Sequence, residues 1–479
     1  MSHEGRRDFL RAVALAGLAV EARIQAQVPA SAESAIDVTR RLARYVVNAK
    51  ADDVPVAVRK EAARTLLNWV GCAVGGSRHE TVDIAIAALA PFSGPRQATV
   101  LGRRERLDVL HASLMNGISS HIFDFDDTHL KTIIHPAGPV ASAILALSEY
   151  RPVSGHDFVH ALVLGVEVEC RIGNAVYPAH YDAGWHITGT TGVFGSAAAV
   201  GKLLGLNEQQ MIWALGLAAT QPVGLKEMFG TMTKSFHPGR AAQNGFTSAL
   251  LASRGFTSSN QGIEAKAGWA NTLSTKRDYS QITSKLAETY EISLNSYKPY
   301  ACGIVIHPAI DACIQLRNKY KLTADQIERI DLRVHLLVPE LTGKQAPQTG
   351  LEGKFSVYFA ASVAIVEGAA GEKQFSDKLV RDERVVALRD RVRLEVDRSL
   401  KEDQVRAAIT LKDGRRVEQF IEHAIGSAEN PMTDAALEAK FTDLAAEVLP
   451  AARVRQLMQL CWKIETLGSA AQLAKAAAA

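Results

Sequence analysis

The chain has 479 residues, enough for two domains and at least one large core. Its 47% hydrophobic and 22% charged residues exclude a disordered chain. A net charge of +3 with no basic run excludes a nucleic-acid footprint, and five scattered cysteines without a C-x-x-C pair exclude a disulfide framework or a zinc site of that type.

The N-terminal stretch GRRDFLRAVALAGLAV has the layout of a twin-arginine export signal: Arg6-Arg7, then Phe9-Leu10, then an almost uncharged run from Ala12 to Val20. Residues 1–32 are read as this signal and a linker, with a small-residue cleavage site such as Ala30-Ser31-Ala32. The expected location is the periplasm, or the cytoplasm if the leader does not function. No apolar run reaches the roughly 20 residues that span a bilayer, so no membrane association is expected after export.

From 33 to 290 the chain reads as successive helices. IDVTRRLARYVVN places Val38, Leu42, Tyr45 and Val46 on one face. DDVPVAVRKEAARTLLNWVGCAVGG opens with acids and Pro55, as a helix N-terminus does. GHDFVHALVLGVEVECRIGNAV is apolar nearly all round, the pattern of a helix buried in a bundle. Asn207 with Gln210 forms a capping-box pair. Nothing between about 36 and 280 alternates as a strand.

The pattern changes over 291–425. Ile330, Leu332, Val334 and Leu336 alternate, as do Val392, Leu394 and Val396, and Asp413-Gly414 between two apolar stretches predicts a hairpin. Helical composition returns over 426–479. The fold class is therefore mostly α, a large helical domain built from both chain ends with a smaller α/β domain inserted between them.

Chemistry concentrates in FDFDDTHLKTIIHP, residues 123–136, with three carboxylates, two imidazoles and a lysine. Asp124 to Thr128 match the D-x-D-x-T of haloacid-dehalogenase phosphatases. Those need an apolar strand just before the first aspartate, and HASLMNGISSHIF is helix-like instead. A magnesium site would need a second acidic cluster, and none of similar density is present. Aspartates at a helix end also serve as simple caps.

Four further segments share the texture of small residues, polar side chains, and Gly or Pro where the backbone turns. They are GWHITGTTG with His186 and Thr188, KSFHPGRAAQNG with Lys234, His237 and Arg240, SYKPYACGIVIHP with Lys298, Cys302 and His307, and GKFSVYFA with Lys354 and Tyr358. Together they suit a small polycarboxylate. Lys234, Arg240 and Lys298 are candidates to pair its carboxylates, and His135 and His186 to move protons near neutral pH. A nearby aspartate is a candidate to move a carbon-bound proton while a cation holds the developing negative charge. A non-catalytic organic-acid binder needs cations but not so many histidines.

In this order, DFDDTH…HP, GWHITGTTG, KSFHPGRAAQNG and YKPY…C…HP resemble the MmgE/PrpD family of 2-methylcitrate dehydratases and cis-aconitate decarboxylases, over nearly the whole chain after the leader. The resemblance implies a homodimer without metal or cofactor and an active site between a helical domain and an α/β lid. It implies that Asp124, Thr128, His135, His186 and Lys234 come from the helical part, and Lys298 and Tyr358 from the lid. Asp124, His135, His186 and Lys298 are then the expected catalytic residues, and Thr128, Lys234, Arg240 and Tyr358 the substrate-binding ones. The expected reaction is dehydration or hydration of a 2-methylcitrate-like acid, with decarboxylation of a cis-aconitate-like acid or epimerisation of a dicarboxylate as alternatives. Two departures touch the site. Cys302 stands where the decarboxylases have a histidine, and the segment from Thr128 to His135 is one residue longer.

Overall fold

The computed structural model describes residues 37–479, so the leader expected over 1–32 lies outside the described residues. Helices α1 (Val38–Asn48), α2 (Val56–Gly76), α3 (Val109–His121), α4 (Ala137–Tyr150), α5 (Gly155–Val176), α6 (Ile187–Leu204), α7 (Glu208–Ala219) and α8 (Met232–Ser253) surround the first hydrophobic core. In α1, Val38, Leu42 and Val46 are buried at helical spacing with Tyr45 half-buried beside them. The all-round apolar sequence of α5 is buried over most of its length. Asn207 and Gln210 close the capping box at the start of α7.

Two local expectations are corrected. KSFHPGRAAQNG is not a turn: it lies inside α8, with Pro238 in the helix interior. Tertiary packing overrides the proline here, because Gly239 meets Gly117 of α3 so closely that a Cβ on Gly117 would fall 2.4 Å from the Gly239 Cα. Strands also occur in the region read as purely helical. These are β1 (Ala98–Thr99), β2 (Arg106–Leu107) and β3 (Asp127–His129), two or three residues each and too short for alternation to register. β3 pairs antiparallel with β4 (Asn295–Tyr297), matching Asp127 with Tyr297 and Thr128 with Ser296.

A second core surrounds a four-stranded sheet of β5 (Ile327–Val334), β6 (Val392–Val396), β7 (Val405–Leu411) and β8 (Arg416–Ile421) in the order β6-β5-β7-β8. β5 runs parallel to β6 and antiparallel to β7. Gly414, at φ +86°, turns β7 into β8 as the Asp-Gly pair predicts. Leu336 falls beyond the end of β5 and is exposed, a small correction to the alternation. Helices α9 (His307–Tyr320) and α10 (Val357–Glu367) pack against the sheet and each other.

The C-terminal helices α11 (Asp434–Ala446), α12 (Ala451–Trp462) and α13 (Ala471–Ala477) return to the first core. There α11 packs on α2, and the Lys440 ammonium donates to the Asn68 side chain of α2 at 2.8 Å. The result is a mostly helical molecule with a few strands in small sheets.

Candidate active site

The α3–α8 crossing at Gly117 and Gly239 fixes what lies one turn further along α3. His121 ends that helix, and Lys234 of α8 reaches it with Nζ 2.7 Å from His121 Nε2. Beyond His121 the chain turns through Asp124 at φ +49°, a left-handed conformation that aspartate tolerates better than most residues. The β3–β4 pairing then brings Lys298, just past β4, against the same turn. Asp124 Oδ1 accepts from Lys234 at 2.8 Å and from Lys298 at 3.0 Å, and Lys298 also donates to the Asp124 carbonyl at 2.9 Å. Two of the three N–H groups on each ammonium are engaged, which leaves one on each.

The histidines are oriented by their other nitrogens. His135 Nδ1 lies 2.8 Å from the Asp127 carbonyl, which can only accept, so Nδ1 carries the proton and Nε2 a lone pair. Thr128 Oγ1 stands 3.3 Å from the same Nδ1, and the Thr188 hydroxyl accepts the His135 backbone N–H at 3.0 Å. His121 donates through Nδ1 to Asp126 Oδ2 at 2.7 Å, which leaves its Nε2 to accept from Lys234. His186, at the N-terminus of α6, shares a 2.9 Å Nδ1–Nδ1 hydrogen bond with His237. Among the described residues, His186 Nε2 and Asp124 Oδ2 are buried without a hydrogen-bond partner. An unpaired buried polar atom is costly, and these two belong to residues that line one cavity.

Burial alone would raise the Asp124 carboxyl, but Lys234 and then Lys298 hold it well below the usual carboxylate range. Burial holds His135 and His186 well below the ordinary imidazole value, and the lysines add to this. Both are therefore neutral bases at neutral pH. Asp127 differs from its neighbours. Burial, reinforced by the Asp126 charge, pushes it up to about 7, while Asn295 and the Ala137 N–H both donate to its Oδ2.

Asp124, His135, His186, Lys234 and Lys298 thus line one cavity at the seam of the two cores. The space between its walls is small, about 30 Å³, so the walls must part to admit an organic acid. Thr128 stands behind His135. Arg240 does not join them: six residues beyond Lys234, it lies about 120° round the helix, where it is exposed and donates to Gln243 at 2.6 Å. Tyr358 packs half-buried against the second core, outside the cavity lining. His129 is engaged by Thr132 and Glu291, Lys354 by the Ala301 carbonyl and Glu372, and Cys302 is fully buried, its thiol pushed up by burial.

His121 and Asp126, central to the network, were not among the sequence candidates. Their signal in the sequence is a histidine closing a helix directly before the aspartates. Lys440 was missed as well. From α11 it donates to the carbonyls of Lys298, at 2.9 Å, and Phe125, clamping the backbone on both sides of the lysine–aspartate contact.

His121, His135 and His186 offer nitrogens within 4.8 Å of one another, a spacing that could hold a metal ion. Both nitrogens of His121 are already engaged, however, one of them by an ammonium that would repel a cation.

The MmgE/PrpD N-terminal domain matches residues 40–282, and the MmgE/PrpD C-terminal domain matches residues 300–464. The chain is 27% identical over 460 residues to a cis-aconitate decarboxylase of Aspergillus terreus, covering 90% of this chain and 94% of that protein. It is 26% identical to the human cis-aconitate decarboxylase over 450 residues, covering 90% and 92%. A 2-methylcitrate dehydratase of Salmonella typhimurium is 23% identical over 401 residues, covering 76% and 80%.

Proposed function

Because the chain belongs to the MmgE/PrpD family, we propose that it is a lyase acting on a small di- or tricarboxylic acid through side-chain acid–base chemistry. The observation that carries this reading is the convergence of two lysines, each with a free N–H, and two neutral histidines on one buried cavity. Carboxylates of the substrate take the free N–H groups of Lys234 and Lys298. His135, its Nε2 bare, removes a proton from carbon. The ammonium of Lys298 stabilises the enolate-like charge that follows, since a fixed cation in a dry site does so without reorganisation. His186, protonated as the anion binds, delivers a proton to the departing hydroxyl, and the carbon–oxygen bond breaks.

A comparable carbanion arises if carbon dioxide leaves instead: the electron pair of the broken carbon–carbon bond stays on carbon until a protonated histidine delivers a proton there. A decarboxylase reading is favoured by the higher identity and fuller coverage of the decarboxylase relatives. We further propose a homodimer, exported by the leader at residues 1–32. Incubation in deuterated water with citrate, methylcitrate, cis-aconitate and related acids separates the reactions. A new double-bond absorbance marks dehydration, carbon dioxide marks decarboxylation, and deuterium exchange without net conversion marks epimerisation. Failure of any acid that binds to react or exchange would exclude a lyase acting on this panel.

A further inference from the structure

The walls of the cavity differ in chemistry. One carries Asp124, His135, His186, Lys234 and Lys298. The other, drawn largely from the second core and the segments joined to it, presents Ile304, Val305, Leu341 and Phe355, and Ile133 lies beside them. The hydroxyl of Thr342 on this wall is engaged by the Val338 carbonyl, and Tyr181 adds only a neutral phenol. None of the residues that line it from Gly303 to Phe355 is charged.

Ile133 is held there in an unusual way. It adopts φ +61°, a conformation β-branched residues rarely take, in a turn closed by its N–H to the His129 carbonyl at 2.8 Å. The His129 N–H donates to the Ile134 carbonyl at 2.7 Å and locks the turn from its other side. The outcome is an aliphatic side chain in the cavity wall.

The charges are also limited. Both lysines pair with the one carboxylate of Asp124, while Asp126 is taken by His121, and each ammonium offers one free N–H. That provides for two carboxylates. A third would lie against Ile304, Val305 and Phe355 with no cation, and a buried unpaired carboxylate is strongly disfavoured. The Lys234 ammonium marks the border, 5.2 Å from the Phe229 ring centre and 5.6 Å from that of Phe355.

We infer that the substrate is a dicarboxylate bearing a hydrocarbon group, with its carboxylates on the lysine–histidine wall and the hydrocarbon against Ile133, Ile304, Val305, Leu341 and Phe355. This rests on the reading of the cavity as a carboxylic-acid site and narrows it.

The test is a matched pair of ligands titrated calorimetrically into the full chain at neutral pH: isobutylsuccinate and propane-1,2,3-tricarboxylate. They share the succinate unit and differ in whether the side arm ends in an isopropyl group or a carboxylate. Isobutylsuccinate is expected to bind about tenfold or more tightly, and Ile304→Arg to narrow or reverse the preference. Equal or tighter binding of the tricarboxylate by the unsubstituted protein overturns the inference and leaves the lyase reading standing. Saturable binding of neither overturns both. The unsubstituted protein decides the matter even if Ile304→Arg does not fold.

Discussion

Lys234 donates to His121 across 113 residues of sequence, at 2.7 Å, and this contact organises the candidate site. It fixes the tautomer of His121, whose other nitrogen donates to Asp126, and it aims the ammonium at Asp124. His121→Ala removes an acceptor from Lys234 and a donor from Asp126 together. Turnover on whichever acid proves to be the substrate should fall roughly 100-fold or more. Steady-state kinetics with circular dichroism check it; wild-type turnover in a folded variant would remove His121 from the site.

Asp124→Asn leaves the turn able to adopt its left-handed conformation but strips two buried ammoniums of their counter-charge. The expected loss is about 3–5 kcal/mol of stability at neutral pH. The sign with pH follows from the depressed carboxyl. Its stabilisation is present above the ordinary aspartate value of about 4 and is lost as pH falls further through the folded value. Denaturant titrations should therefore show the variant's deficit shrinking below about pH 4; a deficit constant across acid pH would contradict the ion-pair account.

Asp127→Asn should behave in the opposite way, although only two residues separate the positions. The folded Asp127 carboxyl sits at about 7, above its unfolded value, so the folded state holds a proton that the unfolded state releases. Wild-type stability from this group is intact below about pH 4 and declines as pH rises towards 7. The variant does not titrate there, so its stability relative to wild type should rise by a few kcal/mol between those limits and then level, on the order expected from linkage. Parallel stability curves for the two proteins from pH 4 to 8 would sink this assignment.

Ligand binding should take up protons at neutral pH. His135 and His186 are held neutral by burial and by the neighbouring lysines, and an arriving dianion reverses that balance. An uptake of about one proton per site supplies the acid–base pair that elimination requires. Titration calorimetry in buffers of different ionisation enthalpy reads it directly, and a binding enthalpy independent of buffer would contradict it.

Gly117→Ala places a methyl group where Gly239 already stands. The helices must part, and Lys234 moves away from His121. A destabilisation of about 1–3 kcal/mol is expected, accompanied by loss of activity. Unaltered kinetics in this variant would show that the crossing does not set the lysine's position.

Much of the fold was legible because it rests on local periodicity. Val38, Leu42 and Val46, the apolar circumference of α5, the Asn207–Gln210 box and the Asp413-Gly414 turn each carry their structure within a few residues. The short strands and the proline within α8 were not legible. β3 has three residues, and Pro238 is overruled by a helix contact that only the folded chain makes.

The order of residues along the chain supplies the inventory of the site, namely which histidines, lysines and aspartates are available, in a family order that fixes their roles as expectations. Tertiary structure alone decided which of them meet. Arg240 and Lys234 lie in one motif, yet helical rotation sends one to the surface and the other to Asp124. Asp124 and Asp127 are the same residue type in one short stretch. One is held ionised by two ammoniums and the other drawn towards its proton by burial and a neighbouring charge. Burial and charge proximity are properties of the three-dimensional arrangement, and pattern along the chain does not contain them.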